Sequence, residues 1–308
     1  MNGKRSKAVP MLASLAAGVA FGSSGTVSQI VIRQGFSVGD ATVSQFLIAT
    51  VVMGVLVAVR YRDFPPARDV VKLLLIGLLQ PVSVMCLYCG IDNLSVGQAV
   101  AIQFQYVWLT VVIQSVADKK LPGIWAVVSS IVIIAGTMFT IVIIAGTMFA
   151  SGVVDDALSG GSALNAVGVA FSVVCAVSYS FFLYLNGRTA VDVHPVTRTF
   201  ILLVSGTVLS SVVNFGFYEN FAENIIAIAP GATVLCLLLI APVFCLSYVS
   251  KRLPGSVVAI LTSVELPAAV ATGALVLGDQ TSALKIFGVV VIIMGIALSQ
   301  FEGKPKSS

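Results

Sequence analysis

Ten apolar stretches alternate with short polar gaps along the chain. They cover residues 9–32, 41–59, 73–91, 96–117, 122–150, 165–186, 199–218, 231–249, 254–277 and 284–301. A helix needs roughly 20 apolar residues to cross the hydrocarbon core. Each stretch comes near that length, so the expected fold is an all-α integral membrane protein of ten transmembrane helices. The gaps set its orientation. Alternate gaps and the two ends hold Lys4, Arg5, Lys7, Arg60, Arg62, Arg68, Lys72, Lys119, Lys120, Arg188, Arg198, Lys251, Arg252, Lys304 and Lys306. The remaining gaps hold only Arg33 and Lys285. Cytoplasmic loops carry the excess of Lys and Arg. Both termini of a multi-pass cell-membrane protein are therefore expected in the cytoplasm. The first stretch follows a basic Met1–Lys7 and starts like a secretory leader, but it stays apolar to Ile32 and reads as a retained helix.

Composition narrows the function classes. The chain is 58% hydrophobic and 10% charged, with mean hydropathy +1.05, whereas soluble domains are about a quarter charged. Ten spans and short loops use nearly all 308 residues, which leaves no room for a soluble catalytic domain. The net charge of +4 comes from loop Lys and Arg and reads as membrane orientation, not as a nucleic-acid surface. No G-x-x-x-x-G-K-[ST] phosphate loop is present, so ATP hydrolysis is not expected. The single histidine, His194, lies in a loop outside any H-E-x-x-H motif. Cys86, Cys89, Cys175, Cys236 and Cys245 all lie inside spans and suggest no disulfide framework. Cys86 and Cys89 read as one packed helix face. No cofactor and no metal are expected.

Two repeats run through the sequence. Leu79-Gln80-Pro81-Val82 before Tyr88 matches Ile240-Ala241-Pro242-Val243 before Tyr248, at offsets of 161 and 160. Asp118 matches Asp279 at 161, and Ile133-Ile134-Ala135-Gly136 matches Ile292-Ile293-Met294-Gly295 at 159. Five helices per half is an odd number, so the second half enters the membrane from the opposite face. The expected organisation is an inverted repeat of residues 1–160 and 161–308, with a site near the midplane between the halves. The other repeat is local: Ile131–Phe139 and Ile141–Phe149 both read IVIIAGTMF. Only the first copy fits the half-to-half offset. Ten extra helical residues add about 15 Å and a net phase change near 80°. Gene slippage is the favoured reading of the 131–150 duplication, and an extended outer helix is the other.

Chemistry concentrates at one residue. Every charged side chain but Glu265 falls in a loop or near the end of a stretch. Glu265, in Leu261-Thr262-Ser263-Val264-Glu265-Leu266-Pro267, lies near the middle of the ninth. A carboxylate at that depth is costly and marks a functional site by default. It is read as a substrate ligand and as the proton-coupling residue, because desolvation favours its neutral form. Pro267 can break the helix beside it, and broken helices are tolerated where they line a cavity. Subtracting 160 gives Gln105, and a slip of one residue gives Tyr106. Gln98 and Gln105 share one helix face, and Gln103, Tyr106 and Thr110 share another. Trp108 reads as a stacking wall or as packing. Ser24 lies in the small-residue run Gly22-Ser23-Ser24-Gly25-Thr26, which suits close helix packing first and pathway lining second. Tyr88, Tyr179, Tyr184 and Tyr248 are weaker candidates, since tyrosines near helix ends belong to the interfacial belt.

The closing half resembles the EamA family of the drug/metabolite transporter superfamily. The residues that carry this are Leu253-Pro254-Gly255-Ser256-Val257-Val258-Ala259, Val264-Glu265-Leu266-Pro267, Leu277-Gly278-Asp279, Phe287-Gly288 and Ile293-Met294-Gly295. Two departures stand out: Leu266 separates Glu265 from Pro267, and Asp279 replaces a Glu. The resemblance implies a cytoplasmic-membrane permease for small metabolites or drugs, often an exporter. The leading expectation is a secondary transporter of an amino acid or drug-like solute working by alternating access. A lipid-carrier flippase of the same superfamily ranks second. A membrane-embedded enzyme ranks low, because no cluster of His, Asp or Arg marks an interfacial active site. The partners expected are a small-molecule substrate and the lipid bilayer, with no nucleic acid, and the chain works as a monomer or homodimer.

The duplication generates a direct test. Deleting Thr140–Phe149 leaves a fifth helix of about 18 residues, still within spanning range. Membrane insertion and transport should survive or improve. Failure of the shortened protein to insert, where the full-length chain does, makes the ten residues structural.

Overall fold

A computed structural model describes residues 2–61, 64–93, 99, 102–120, 122–136, 166–219, 221–277 and 283–299. The described residues are helical, with no strand among them. The helices are α1 (Asn2–Arg33), α2 (Val38–Arg60), α3 (Ala67–Gly77), α4 (Leu79–Asn93), α5 (Tyr106–Asp118), α6 (Ile124–Gly136), α7 (Ala166–Asn186), α8 (Pro195–Val213), α9 (Phe221–Val249), α10 (Gly255–Thr262), α11 (Glu265–Thr272) and α12 (Ala283–Ser299). Seven are, alone or with an adjoining segment, long and apolar enough to cross a membrane, and Tyr106–Asp118, Ile124–Gly136 and Ile286–Ala297 are shorter apolar helices. Gln98, most of the 131–150 duplication and Asp279 lie outside the described residues.

Local sequence sets where these helices begin and stop. Ser37 and Asp40 form a reciprocal cap on α2: the Asp40 N–H donates to Ser37 Oγ at 3.0 Å and the Ser37 N–H donates to Asp40 Oδ2 at 2.9 Å. Both satisfy backbone donors that the first turn leaves free. Pro195 opens α8, where its missing N–H costs nothing. The eighth apolar stretch begins ten residues earlier than its hydropathy suggests, at Phe221, and α9 runs through Pro230 and Pro242 without ending. The third stretch also starts early, at Ala67, and is interrupted at Leu78. Pro81 explains that interruption, since it cannot supply the N–H that the Gly77 carbonyl would accept four residues back.

Helices before residue 137 pack mainly on helices after residue 165. α1 lies along α9 and against α10 and α11, while α4 lies along α7; α2 packs on α8 and α9, α3 on α8, and α5 on α7 and α10. The segments matched at offset 159 meet each other. A Cβ on Gly136 would lie 2.7 Å from Ile292 Cγ1, and a Cβ on Gly295 would lie 2.7 Å from Ile133 Cγ1. The first copy of the duplicated motif makes this contact.

One end of the bundle carries the basic residues. Arg188 pairs with Asp118 and Lys251 with Asp192. The Tyr61 and His194 rings stack with centroids 4.3 Å apart. Arg198, read from sequence as a loop cation, is instead fully buried in the first turn of α8. Its guanidinium donates to the Asn186 backbone oxygen, to Asn186 Oδ1 at 2.9 Å, to Ser250 Oγ at 2.9 Å and to the Ala190 oxygen at 3.4 Å. It therefore clasps the ends of α7, α8 and α9 together without a carboxylate.

The approach of α1 to the ninth span depends on two glycines. A Cβ on Gly18 would sit 2.5 Å from the Thr262 oxygen, and one on Gly22 would sit 2.1 Å from the Glu265 oxygen. Backbone cannot yield as a flexible side chain does, so overpacking here should cost about 1–3 kcal/mol. Gly22→Ala should lower the melting temperature of the purified protein. Gly25→Ala, whose added carbon meets nothing within 4 Å, should leave it unchanged, and equal melting of both variants would rule out this packing account.

Candidate functional site

Glu265 opens α11 at a break in the ninth span. α10 ends at Thr262, and Ser263 and Val264 separate it from α11. Pro267 lies beyond the break, in the first turn of α11. It lacks the N–H that would have bonded the Ser263 carbonyl, which accepts only a long contact from the Leu266 N–H at 3.4 Å. The ladder resumes with the Ala268 N–H donating to the Val264 oxygen at 3.0 Å. The extra Leu266 between Glu265 and Pro267 thus places the carboxylate at the first position of the new helix.

A second break stands 159 residues earlier. Ile102 and Gln103 are helical, Phe104 and Gln105 form a turn, and α5 starts at Tyr106. The turn is closed by Gln105 N–H donating to the Ile102 oxygen at 3.1 Å and Val107 N–H donating to the Phe104 oxygen at 3.3 Å. Tyr106, not Gln105, therefore occupies the position that matches Glu265. No proline signals this second break.

The two breaks face one aromatic cluster. Tyr106 meets Tyr179 edge to face with ring centroids 4.8 Å apart. Phe104 flanks Tyr106 at 5.7 Å, Phe21 of α1 meets Tyr179 edge-on at 6.4 Å, and Phe182 stacks with Tyr179 at 6.2 Å. Glu265 is close enough to act electrostatically on Tyr106, Tyr179 and Cys175. The cluster is held by backbone hooks. Ser180 Oγ of α7 donates to the Tyr106 oxygen at 3.2 Å, Ser178 Oγ donates to the Leu79 oxygen at 3.3 Å, and Ser83 Oγ of α4 donates to the Cys175 oxygen at 3.2 Å. Thr26 of α1 and Thr272 of α11 share a hydrogen bond of 2.9 Å.

Three polar groups in this cluster have no partner. The hydroxyls of Tyr106 and Tyr179 are buried and make no hydrogen bond, although Thr262 lies beside Tyr106. Among the described residues, no side chain or backbone group pairs with the Glu265 carboxylate, and no Lys, Arg or His offsets its charge. Buried polar groups are normally paired, so two buried hydroxyls without a partner beside a partly buried carboxylate mark a place prepared for something else.

The other sequence candidates are placed differently. Trp108 is 37% exposed on the outer surface and donates from Nε1 to Gln105 Oε1 at 2.7 Å. Gln105 is thus engaged beside Trp108. Gln103 is buried. Ser24 Oγ donates to the Phe21 oxygen at 2.7 Å within α1. Tyr248 stacks under the Arg252 guanidinium, 3.9 Å from its ring centre, at the basic end and away from Glu265. Tyr184 stacks likewise under Arg188 at 4.9 Å. The Tyr88 side chain and Gln98 lie outside the description. Tyr179 corrects the sequence reading: it is not an interfacial tyrosine but the centre of the cluster, only 6% exposed. Its spacing of three to Phe182 and four to Cys175 puts all three on one face of α7, the one signal that marked it.

These features define a multi-pass α-helical membrane protein with a polar group buried at paired helix breaks. The model of the EamA-like transporter family matches residues 9–142, so this part of the chain is similar to that family. The match falls on the opening half, although the motifs legible by eye lie in the closing half. It ends at residue 142, just past the first copy of the duplicated motif. A crystal structure superposes with TM-score 0.72 at 12% identity, covering 97% of this chain and 100% of that one, which supports the fold alone. No curated protein matches the sequence.

The break itself can be tested. In Pro267→Ala the restored N–H can bond the Ser263 carbonyl and continue the helix, turning Glu265 away from Tyr106 and Tyr179. The variant should fold with equal or higher melting temperature and lose at least ten-fold in solute flux in proteoliposomes. Unchanged flux would show that the interruption has no part in function.

Proposed function

We propose that this protein is a secondary transporter that exports a small organic metabolite, an amino acid or a drug-like solute, by alternating access. The observation that carries the reading is the unpaired Glu265 carboxylate at the helix break, facing the cluster where α1, α5, α7 and α11 converge. A resident structural glutamate would have donors around it. The similarity of residues 9–142 to the EamA-like transporter family supports transport.

Two inverted five-helix halves, residues 1–160 and 161–308, would form the moving parts. The packing favours this division. Exchanging each helix of one half for its counterpart turns the contact of α1 with α9 into that of α7 with α4, and the contact of α2 with α9 into that of α8 with α3. Breaks 159 residues apart and the reciprocal Gly136 and Gly295 contacts agree. The basic end would face the cytoplasm, with both termini, in keeping with the Lys and Arg distribution. Glu265 would carry the coupled proton, because an acid in a site of low polarity gains and loses a proton as water and solute come and go.

The test compares Glu265→Gln with the parent protein in proteoliposomes. Glutamine keeps the size and hydrogen bonding of the neutral acid and cannot titrate. The variant should fold, bind solute and support some exchange while losing accumulation driven by a pH gradient. Wild-type accumulation with an unchanged pH profile would remove Glu265 from coupling.

A further inference from the structure

We infer that the cluster around Glu265 binds a hydrophobic primary ammonium ion, a cation with an aryl or alkyl body and no carboxylate of its own. The inference rests on the transporter reading and narrows its substrate class.

Charge is the first argument. An ionised carboxylate taken out of water needs a counter-charge or several donors, and Glu265 has neither among the described residues. Arg198 is the buried guanidinium of the described bundle, and Asn186, Ala190 and Ser250 already engage it at the basic end. An anionic solute at the cluster would meet one carboxylate and no cation. A zwitterion would gain from Glu265 and lose at its own carboxylate. A monocation alone is favoured at both ends.

Hydrogen-bond capacity is the second. An alkylammonium has three N–H donors and no acceptor. The cluster offers acceptor oxygens on three groups: the Glu265 carboxylate, the Tyr106 hydroxyl, which has Thr262 beside it, and the Tyr179 hydroxyl. Both tyrosines are at least nine-tenths buried, so a bound ammonium would satisfy groups that water at the surface does not reach. A quaternary ammonium would leave them orphaned.

The third argument is the wall. Tyr106 and Tyr179 stand edge to face, with Phe21, Phe104 and Phe182 around them. Ring faces attract cations, by about 2 kcal/mol or more when desolvated. The three phenylalanines supply the apolar surface for a hydrocarbon body.

Three probes with the same ring and different charge test this: phenethylamine, phenylalanine and 3-phenylpropionate, a cation, a zwitterion and an anion. Binding to the purified full-length protein is measured by calorimetry at pH 7, with Glu265→Gln as the blank for partition into detergent. Phenethylamine should bind at least ten-fold tighter than the other two, and Glu265→Gln should abolish that preference. Tyr179→Phe should keep the ring and lose three- to ten-fold, and Tyr179→Leu should lose more. Melting temperatures without ligand separate misfolding from lost recognition. Equal or tighter binding of phenylalanine or 3-phenylpropionate overturns the assignment, while flux of that probe in proteoliposomes would leave the transporter reading standing. Absence of binding by all three also overturns it, and a labelled-metabolite flux screen then decides separately whether the protein transports.

Discussion

Inside a bilayer no water reaches the backbone, so every N–H and C=O has to find a partner within the protein. The ninth span breaks that economy at one place. Pro267 removes a donor, the Ser263 carbonyl is left with a 3.4 Å contact, and two residues drop out of the helix. Such a break persists only where protein covers it. α1 is the cover, and it can lie close enough because Gly18 and Gly22 present bare backbone to the Thr262 and Glu265 oxygens. The missing proline N–H, the glycine face of α1 and the position of Glu265 are thus one constraint seen from three sides.

That linkage shows what was legible in the sequence and what was not. Hydropathy located the seven spanning helices and the shorter apolar ones because burial in lipid demands apolar runs. It could not see α3 begin at Ala67 or α9 at Phe221, since the first turns of both mix polar and apolar residues that a window average dilutes. Glu265 was legible because a lone mid-span acid is rare. Tyr106 was reached only as a one-residue slip from Gln105, because an offset near 160 cannot be fixed to one residue by composition alone. Tyr179 was undervalued. Aromatic residues in apolar helices carry little positional information, and only the tertiary meeting of α5 with α7 sets it against Tyr106.

The break in the first half shows a different limit. Phe104 and Gln105 leave the helix without proline or glycine to force them. The local sequence therefore does not account for the turn, and tertiary contact does part of the work. Ser180 Oγ, whose hydrogen is shared with the Ala176 oxygen at 2.7 Å, reaches the Tyr106 carbonyl at 3.2 Å, and Thr110 Oγ1 donates to the same oxygen at 2.7 Å. Both contacts reach a carbonyl, so they hold the start of α5 in place but supply nothing to the N–H groups that its first turn leaves free. The two breaks occupy matching positions, and a missing proline donor accounts for one while no local residue accounts for the other.

The basic end adds the last step. Asn186, Arg198 and Ser250 bind α7, α8 and α9 through a buried guanidinium, and removing one partner of a buried charge is strongly destabilising. Contacts from the opening helices to this group are of another order. The Asp118–Arg188 pair is partly exposed, and such pairs contribute about 0–1 kcal/mol. The Ser256 N–H donates to Gln114 Oε1 at 2.9 Å, a bond of about 1 kcal/mol net. The Tyr61–His194 stack adds about 0.5–1.5 kcal/mol. Of these contacts, the Gln114–Ser256 bond joins α5 to α10, the Asp118–Arg188 pair ties α5 to the end of α7, and the Tyr61–His194 stack ties the end of α2 to the start of α8. Apolar packing of the opening helices on the closing ones, α1 along α9 and α4 along α7 above all, carries the rest of the seam between them.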